Sequence, residues 1–181
     1  SLFNGCTNLE SIEIEGNLEE IGASSFSGCT KLSTIVYKGT NNPSFQADSF
    51  ANAPVTKVYV TKDFAQDTFC GISIIQLNPC GPSLTYSVEG NTLIIRGEGE
   101  MNDFTDSDSS LWHSNADTIE NIELPETLTS IGSNALSNFT KLTTITIPPN
   151  VESIGSSAFR STSFECELIL PDTITTIGTR A

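Results

Sequence analysis

The sequence predicts a β-rich solenoid of 23-residue repeats with a parallel concave sheet, interrupted midway by a hairpin-containing segment. Three observations predict it. Two adjacent 23-residue stretches, LTSIGSNALSNFTKLTTITIPPN and VESIGSSAFRSTSFECELILPDT, are close copies. Setting Ile21-Gly22 over Ile131-Gly132, Ile154-Gly155 and Ile177-Gly178 aligns a large apolar slot five residues on, held by Phe26, Leu136 and Phe159, and Phe3 and Phe50 fall in the same slot. After each slot comes a short run in which apolar residues alternate with polar ones.

In chain order the runs are LESIEIE at Leu9, LSTIVYK at Leu32, VTKVYVT at Val55, IENIELP at Ile119, LTTITIP at Leu142, and CELILP. Each follows Leu-x-x-Ile-x-Ile, the two-residue period of a strand with one apolar side. A lone strand has nowhere to bury that side. Stacking solves the problem: Ile12, Ile35 and Val58 form one ladder, Ile122, Ile145 and Leu168 another, with Phe26, Phe50 and Phe159 on the opposite wall. The step from Phe26 to Phe50 is one residue longer, absorbed in the turn KGTNNPS.

The stretches LEEIGASSFSGCTKLSTIVY and VESIGSSAFRS show the pattern x-x-Ile-Gly-x-x-Ala-Phe-x-x-Cys-x-x-Leu-x-x-Ile-x-Ile. This pattern resembles the BspA-like, or treponemal-type, leucine-rich repeats over residues 1–62 and 119–181. The cysteine slot departs from it at Ala53, Phe139 and Thr162, and Phe45-Gln46 replaces Ile-Gly in the third copy. The resemblance implies a leucine-rich-repeat solenoid without catalysis or cofactor: a protein-binding or adhesion module of a secreted or cell-surface protein. Its partners would be host or neighbouring-cell surface proteins. The alternative is a structural stalk or filament subunit built from tandem copies, whose partners are copies of itself.

Between the arrays the period fails. CGISIIQL supplies a closing strand, Ile72 to Leu77, 17 residues after its predecessor; NPCGPS is a break; and LTYSVEGNTLIIRGEGEM reads as two strands around Glu89-Gly90-Asn91. With the tryptophan stretch that follows, this looks like the segment that opens BspA-like arrays. The expected domains are therefore 1–79, the end of a first array with its closing strand; 80–118, the N-terminal cap of a second; and 119–181, that second array, truncated. One unbroken solenoid with a bulging insert is the other reading.

Eight basic residues against 22 acidic ones give a net charge of −14, a field that repels phosphate backbones and anionic membranes. No apolar run approaches the ~20 residues that span a bilayer. No signal peptide is visible; the chain begins and ends inside repeats, so a leader or anchor is sought outside it.

Candidate sites are few. Cys6 and Cys29 share a repeat phase and are expected to be small buried hydrophobes. Cys70 and Cys80 lie off that phase on either side of the closing strand and form a candidate disulfide in a secreted protein, against two free thiols; Cys166 is expected unpaired. Carboxylates in GEGEMNDFTDSDSS make Asp103, Asp106 and Asp108 a candidate calcium set, although the stretch lacks the spacing of a calcium loop and reads first as a solvated capping loop. Asn138-Phe139-Thr140 is a glycosylation sequon at Asn138. His113, beside Trp112, takes a structural reading, and no residue is assigned to catalysis. The strand positions that alternate with the ladder line the concave face. There Glu13, Glu15, Lys38, Lys57 and Tyr59, with Tyr37 at the ladder edge, are the expected partner-binding residues. Asn121, Glu123, Thr144, Thr146, Glu167 and Ile169 line the same face in the second array.

Overall fold

A computed structural model describes residues 2–107, 109–165 and 167–181, and the chain divides into two compact units, 1–77 and 78–181. In the first unit the Leu-x-x-Ile-x-Ile runs become β1 (Ser11–Ile14), β3 (Thr34–Tyr37) and β5 (Lys57–Thr61), with β2 (Glu20–Ile21) and β4 (Ser44–Phe45) between them. β6 (Thr68–Phe69) and β7 (Ile72–Pro79) follow. β1, β3, β5 and β7 pair in parallel, and the expected ladder is present in register: Ile12 opposite Ile35, Ile35 opposite Val58, and then Val58 opposite Ile74. β2 and β4 form a second parallel pair, Ile21 opposite Phe45.

The opposite wall of this unit is a stack of rings. Phe26 lies between Phe3 and Phe50 with centroids 5.2 and 5.3 Å away and planes within 4° of parallel. One amino acid per repeat thus sets the spacing of the turns, and stacking adds about 0.5–1.5 kcal/mol per pair to ordinary burial.

The second unit opens with the expected hairpin, β8 (Leu84–Glu89) and β9 (Thr92–Gly97), closed by Gly90-Asn91. Gly90 has φ +63°, the first-position glycine that a type II′ loop requires. β10 (Gly99–Glu100) follows, then a single 3-10 turn (His113–Asn115), β11 (Asn121–Glu123), β12 (Leu128–Ile131), β13 (Ser153–Ile154) and β14 (Thr176–Ile177). β9 supplies a rung, since Leu93 pairs in parallel with Ile122. The Ile-Gly copies end short parallel strands: β10, β12, β13 and β14 form one sheet in which Ile131, Ile154 and Ile177 are in register.

Residues 143–149, expected as a strand, belong to no ladder. Pro148 and Pro149 remove two donors at the end of that run, yet Ile145 and Leu168 still pack against the same core as Ile122. The expected strand CELILP begins at Cys166, outside the described residues. Trp112 is fully buried in this core, its indole N–H donating to Ala135 O at 2.8 Å, with Tyr86 and Phe104 edge-on to it.

Two predictions follow from the stacking. Phe26→Ala should cost about 3–5 kcal/mol in urea unfolding, and a loss below about 1 kcal/mol would mean that the ring stack does not carry the first unit. The Ile-Gly glycine differs between units. A Cβ at Gly155 would overlap Ser133 N and the carbonyl carbon of Gly132 in the preceding repeat, whereas one at Gly22 would meet only Ser25 Oγ at 3.7 Å. Gly155→Ala should therefore destabilise by about 1–3 kcal/mol, and Gly22→Ala should stay within about 1 kcal/mol of the parent. Equal effects in the two variants would refute the close-approach account.

Candidate functional site

Strand alternation in the first unit sends Ile12 and Ile35 inward and Glu13, Glu15 and Lys38 outward. Lys38 Nζ lies 2.6 Å from Glu13 Oε1 and 3.1 Å from Glu15 Oε1. Its side chain and both carboxylates are at least two-fifths exposed. The hydrogen bond to Glu13, then that to Glu15, holds the ammonium above its ordinary pKa. Lys57 is exposed on β5.

The two tyrosines expected beside these charges are not on the surface. Tyr37 is fully buried. It stands opposite Ile14 and Val60, which makes it a ladder residue, and its ring packs on Phe64 and Phe69. Its hydroxyl donates to Asn41 Oδ1 at 2.7 Å and accepts the Leu18 N–H at 3.1 Å, tying down the KGTNNPS turn. Tyr59 is 2 % exposed, in register between Val36 and Ile75. Large neighbours on both sides leave neither ring available as an anchor.

Cys70 and Cys80 are both free thiols, which corrects the expected disulfide. Cys70 and Gly71 form the two-residue loop of the β6–β7 hairpin with φ +51° and +79°, the pair of left-handed residues that a type I′ turn demands. The Cys70 N–H donates to Asn42 Oδ1, and its side chain joins the first unit's core. Cys80 is fully buried in the second unit's core. Between them runs the extended β7, at about 3.3 Å per residue, far beyond the roughly 7 Å Cα limit for a bridge. Cys29 is buried as expected, whereas Cys6, in the same phase, is exposed.

Asp103 Oδ1 accepts the Ser133 N–H at 2.6 Å and Asp106 Oδ1 the Ser109 N–H at 2.8 Å, so both carboxylates hold main chain; Asp108 lies outside the described residues, as does Cys166. Among the described residues no cluster of three or more His, Cys, Asp or Glu could hold a metal ion. Asn138 is half-buried in a left-handed turn (φ +64°), its N–H donating to Arg160 O. His113 is exposed on the 3-10 turn beside Trp112.

In the second unit the outward residues expected on the strand face line two adjoining clefts. One, of about 470 Å³, is bounded by Thr92, Asn121, Glu123, Glu126, Thr144, Thr146 and Pro148. The other, of about 320 Å³, is bounded by Thr146, Pro149, Glu167, Ile169 and Pro171. Ile169 is 76 % exposed, and the ionisable groups lining these clefts are all carboxylates. The proline at 125, 148 and 171, spaced by one repeat, closes each run.

A family model described as the BspA type leucine rich repeat region matches residues 1–76 and 108–181, in six copies. This chain belongs to the BspA-type leucine-rich-repeat family. No curated protein matches it. Solved structures of leucine-rich repeat proteins align with it to different extents. A leucine-rich repeat protein of Eubacterium ventriosum aligns with TM-score 0.50 and 24 % identity over 55 % of this chain and 27 % of its own. One from Bacteroides ovatus gives 0.38 and 18 % over 97 % and 41 %. A Faecalibacterium prausnitzii protein described as a leucine rich cell surface protein gives 0.30 and 20 % over 94 % and 35 %. The chain thus spans between about a quarter and two-fifths of the length of these proteins. No helix among its described residues is long and apolar enough to cross a membrane.

The off-phase thiols of this BspA-type chain make its stability sensitive to alkali. Burial pushes Cys70 up to about 11 and Cys80 up to about 12. In the unfolded chain a thiol ionises near pH 8.5, so above that pH the unfolded state sheds protons that the folded state keeps. Stability is held in full below about pH 8.5 and falls as pH rises toward the folded values. Urea midpoints measured between pH 8 and 11 should decline, and less steeply in Cys70→Ala/Cys80→Ala. The same slope in parent and variant would exclude these thiols as the cause.

Proposed function

We propose that this chain is a non-catalytic protein-binding module of a secreted or cell-surface protein, contacting host or neighbouring-cell surface proteins through the exposed strand face of its second unit. The observation that carries the reading is the pair of adjoining clefts, in which solvent-exposed Ile169 stands among threonines and the carboxylates of Glu123, Glu126 and Glu167. Apolar surface that a partner can desolvate, rimmed by charge, is the composition of a contact patch. Within the first unit, Glu13, Glu15, Lys38 and Lys57 are proposed as an electrostatic patch that steers encounter more than it adds affinity. Membership of the BspA-type family and the description of the Faecalibacterium prausnitzii protein support the surface assignment.

The test places a photo-reactive residue at Thr146 and, separately, at Ser157 on the turn side, and exposes the folded chain to intact cells. Cross-links to one surface protein from position 146, with none from 157, are expected. Affinity for that protein should then fall at least tenfold in Thr146→Arg/Ile169→Asp, about 1.4 kcal/mol, with the thermal midpoint unchanged because both residues are exposed. Cross-linking from the turn side, or retained affinity in the double variant, would overturn the reading. Concentration-dependent self-association that the same variant abolishes would favour the stalk.

A further inference from the structure

β11 is the last strand of its sheet, and one of its edges is unused. It pairs with β9, and among the described residues no strand lies along its other side. The Asn121 N–H donates to Asn91 O, just before β9. In an extended strand the next residue aims its N–H and carbonyl the opposite way, so those of Ile122 face the unused edge. Val58, in the same repeat phase, pairs on both sides, with Ile35 and with Ile74. The run that should pair with β11, residues 143–149, forms no ladder.

The rungs beneath record the difference. Where β3 and β5 pair, Ile35 and Val58 are sealed, at 1 % and 0 % exposure. Where pairing is missing, Ile122 and Ile145 are only partly buried, and both line the cleft of about 470 Å³. Residues 121–124 line it without a gap, as do 144–146. Alternation sends only every second side chain of a strand to one face, so an unbroken run means that main chain borders the cleft. Unpaired main chain along an open edge is a template for another strand, and the volume lies within the roughly 300–1,000 Å³ of ligand clefts.

Charge selects the occupant. Glu123 and Glu126 line this cleft and Glu167 the adjoining one, and neither lining contains lysine or arginine. In a chain of net charge −14 that field draws a basic segment and repels an acidic one. The two-residue period of a strand sets its pattern: apolar residues over Ile122 and Ile145, basic residues toward the carboxylates. We infer that this cleft is a strand-addition groove, in which an extended segment of the partner protein, alternating basic and apolar residues, pairs its main chain with the open edge of β11. The inference rests on the binding reading above and adds to it the chemistry of the segment bound.

The probes are the peptide Lys-Val-Lys-Val-Lys-Val, its glutamate counterpart, and a copy of the first N-methylated at every residue, which keeps the charges and loses the main-chain donors. Bound to the whole folded chain, the lysine peptide should slow hydrogen exchange at the Ile122 amide at least about tenfold, while Ile35, in a strand already paired on both sides, changes little. Its affinity should exceed that of the other two peptides at least about tenfold. It should fall about threefold or more in Glu123→Gln/Glu126→Gln, whose two side chains are exposed in the parent. A lysine peptide that does not bind, equal binding of either comparison peptide, unchanged exchange at Ile122 in the complex, or full affinity in the glutamine variant would overturn the inference. Cross-linking from position 146 separates the two readings: if it persists after such a result, the chain binds its partner by another chemistry, and if it too is absent, both readings fall.

Discussion

Each repeat of this chain depends on the apolar face of the next, because a four-residue strand cannot close a core alone. The five or six large side chains of one 23-residue repeat, at about 1.5–3 kcal/mol each, contribute less than the ordering of that many residues costs. The balance tips only when copies lie in contact on every side. Ile35 is fully enclosed because Ile12 and Val58 flank it. The same reasoning explains why Phe26, between two rings, is nearly buried.

Close stacking demands a backbone that turns in the same way each time. Residues three places after the Ile-Gly isoleucine, Ser24, Asn134, Ser157 and Arg180, are all left-handed, as are those two places after the apolar slot: Gly5, Gly28, Asn52, Asn138 and Ser161. Most of these residues are Gly, Asn or Ser, but Arg180 shows that the demand comes from the stack rather than from local preference. The sequon at Asn138 falls on this slot, so its asparagine serves the turn whatever else it carries.

What was legible in the sequence was whatever the period multiplies. The ladder Ile12, Ile35, Val58, the ring wall and the hairpin at Gly90 all follow from repetition or from a turn signal with one meaning. Single events were harder to read. Cys70-Gly71 invited a bridge to Cys80, since off-phase cysteines flanking a break look like partners; the competing meaning, a left-handed two-residue hairpin turn, needs the pairing of Phe69 with Ile72 to become visible. Tyr37 was misplaced for a different reason. Its place at the ladder edge beside Lys38 suggested a contact residue, but it lies opposite Ile14 and Val60 in the core, where Asn41 and the Leu18 N–H give its hydroxyl the partners that water would otherwise supply.

This division between repeated core and unrepeated surface is what would let the chain serve the binding role proposed for it. Ladder positions tolerate little, because a change at one rung disturbs two neighbours at packing distance. Strand-face positions are released from that constraint, and they show it: the residues following alternation outward are Glu13, Val36 and Tyr59 in one unit and Glu123, Thr146 and Ile169 in the other, with no common chemistry. Even on this face burial can reclaim a residue, as it does Tyr59. Exposure therefore has to be read together with alternation. In the second unit the two coincide: the proline that ends each run removes a backbone donor at the rim, no strand ladder covers residues 143–149, and carboxylates and Ile169 remain open to solvent. A surface so arranged is set by residues that stacking leaves free, so its composition can change while the ladder beneath it stays the same.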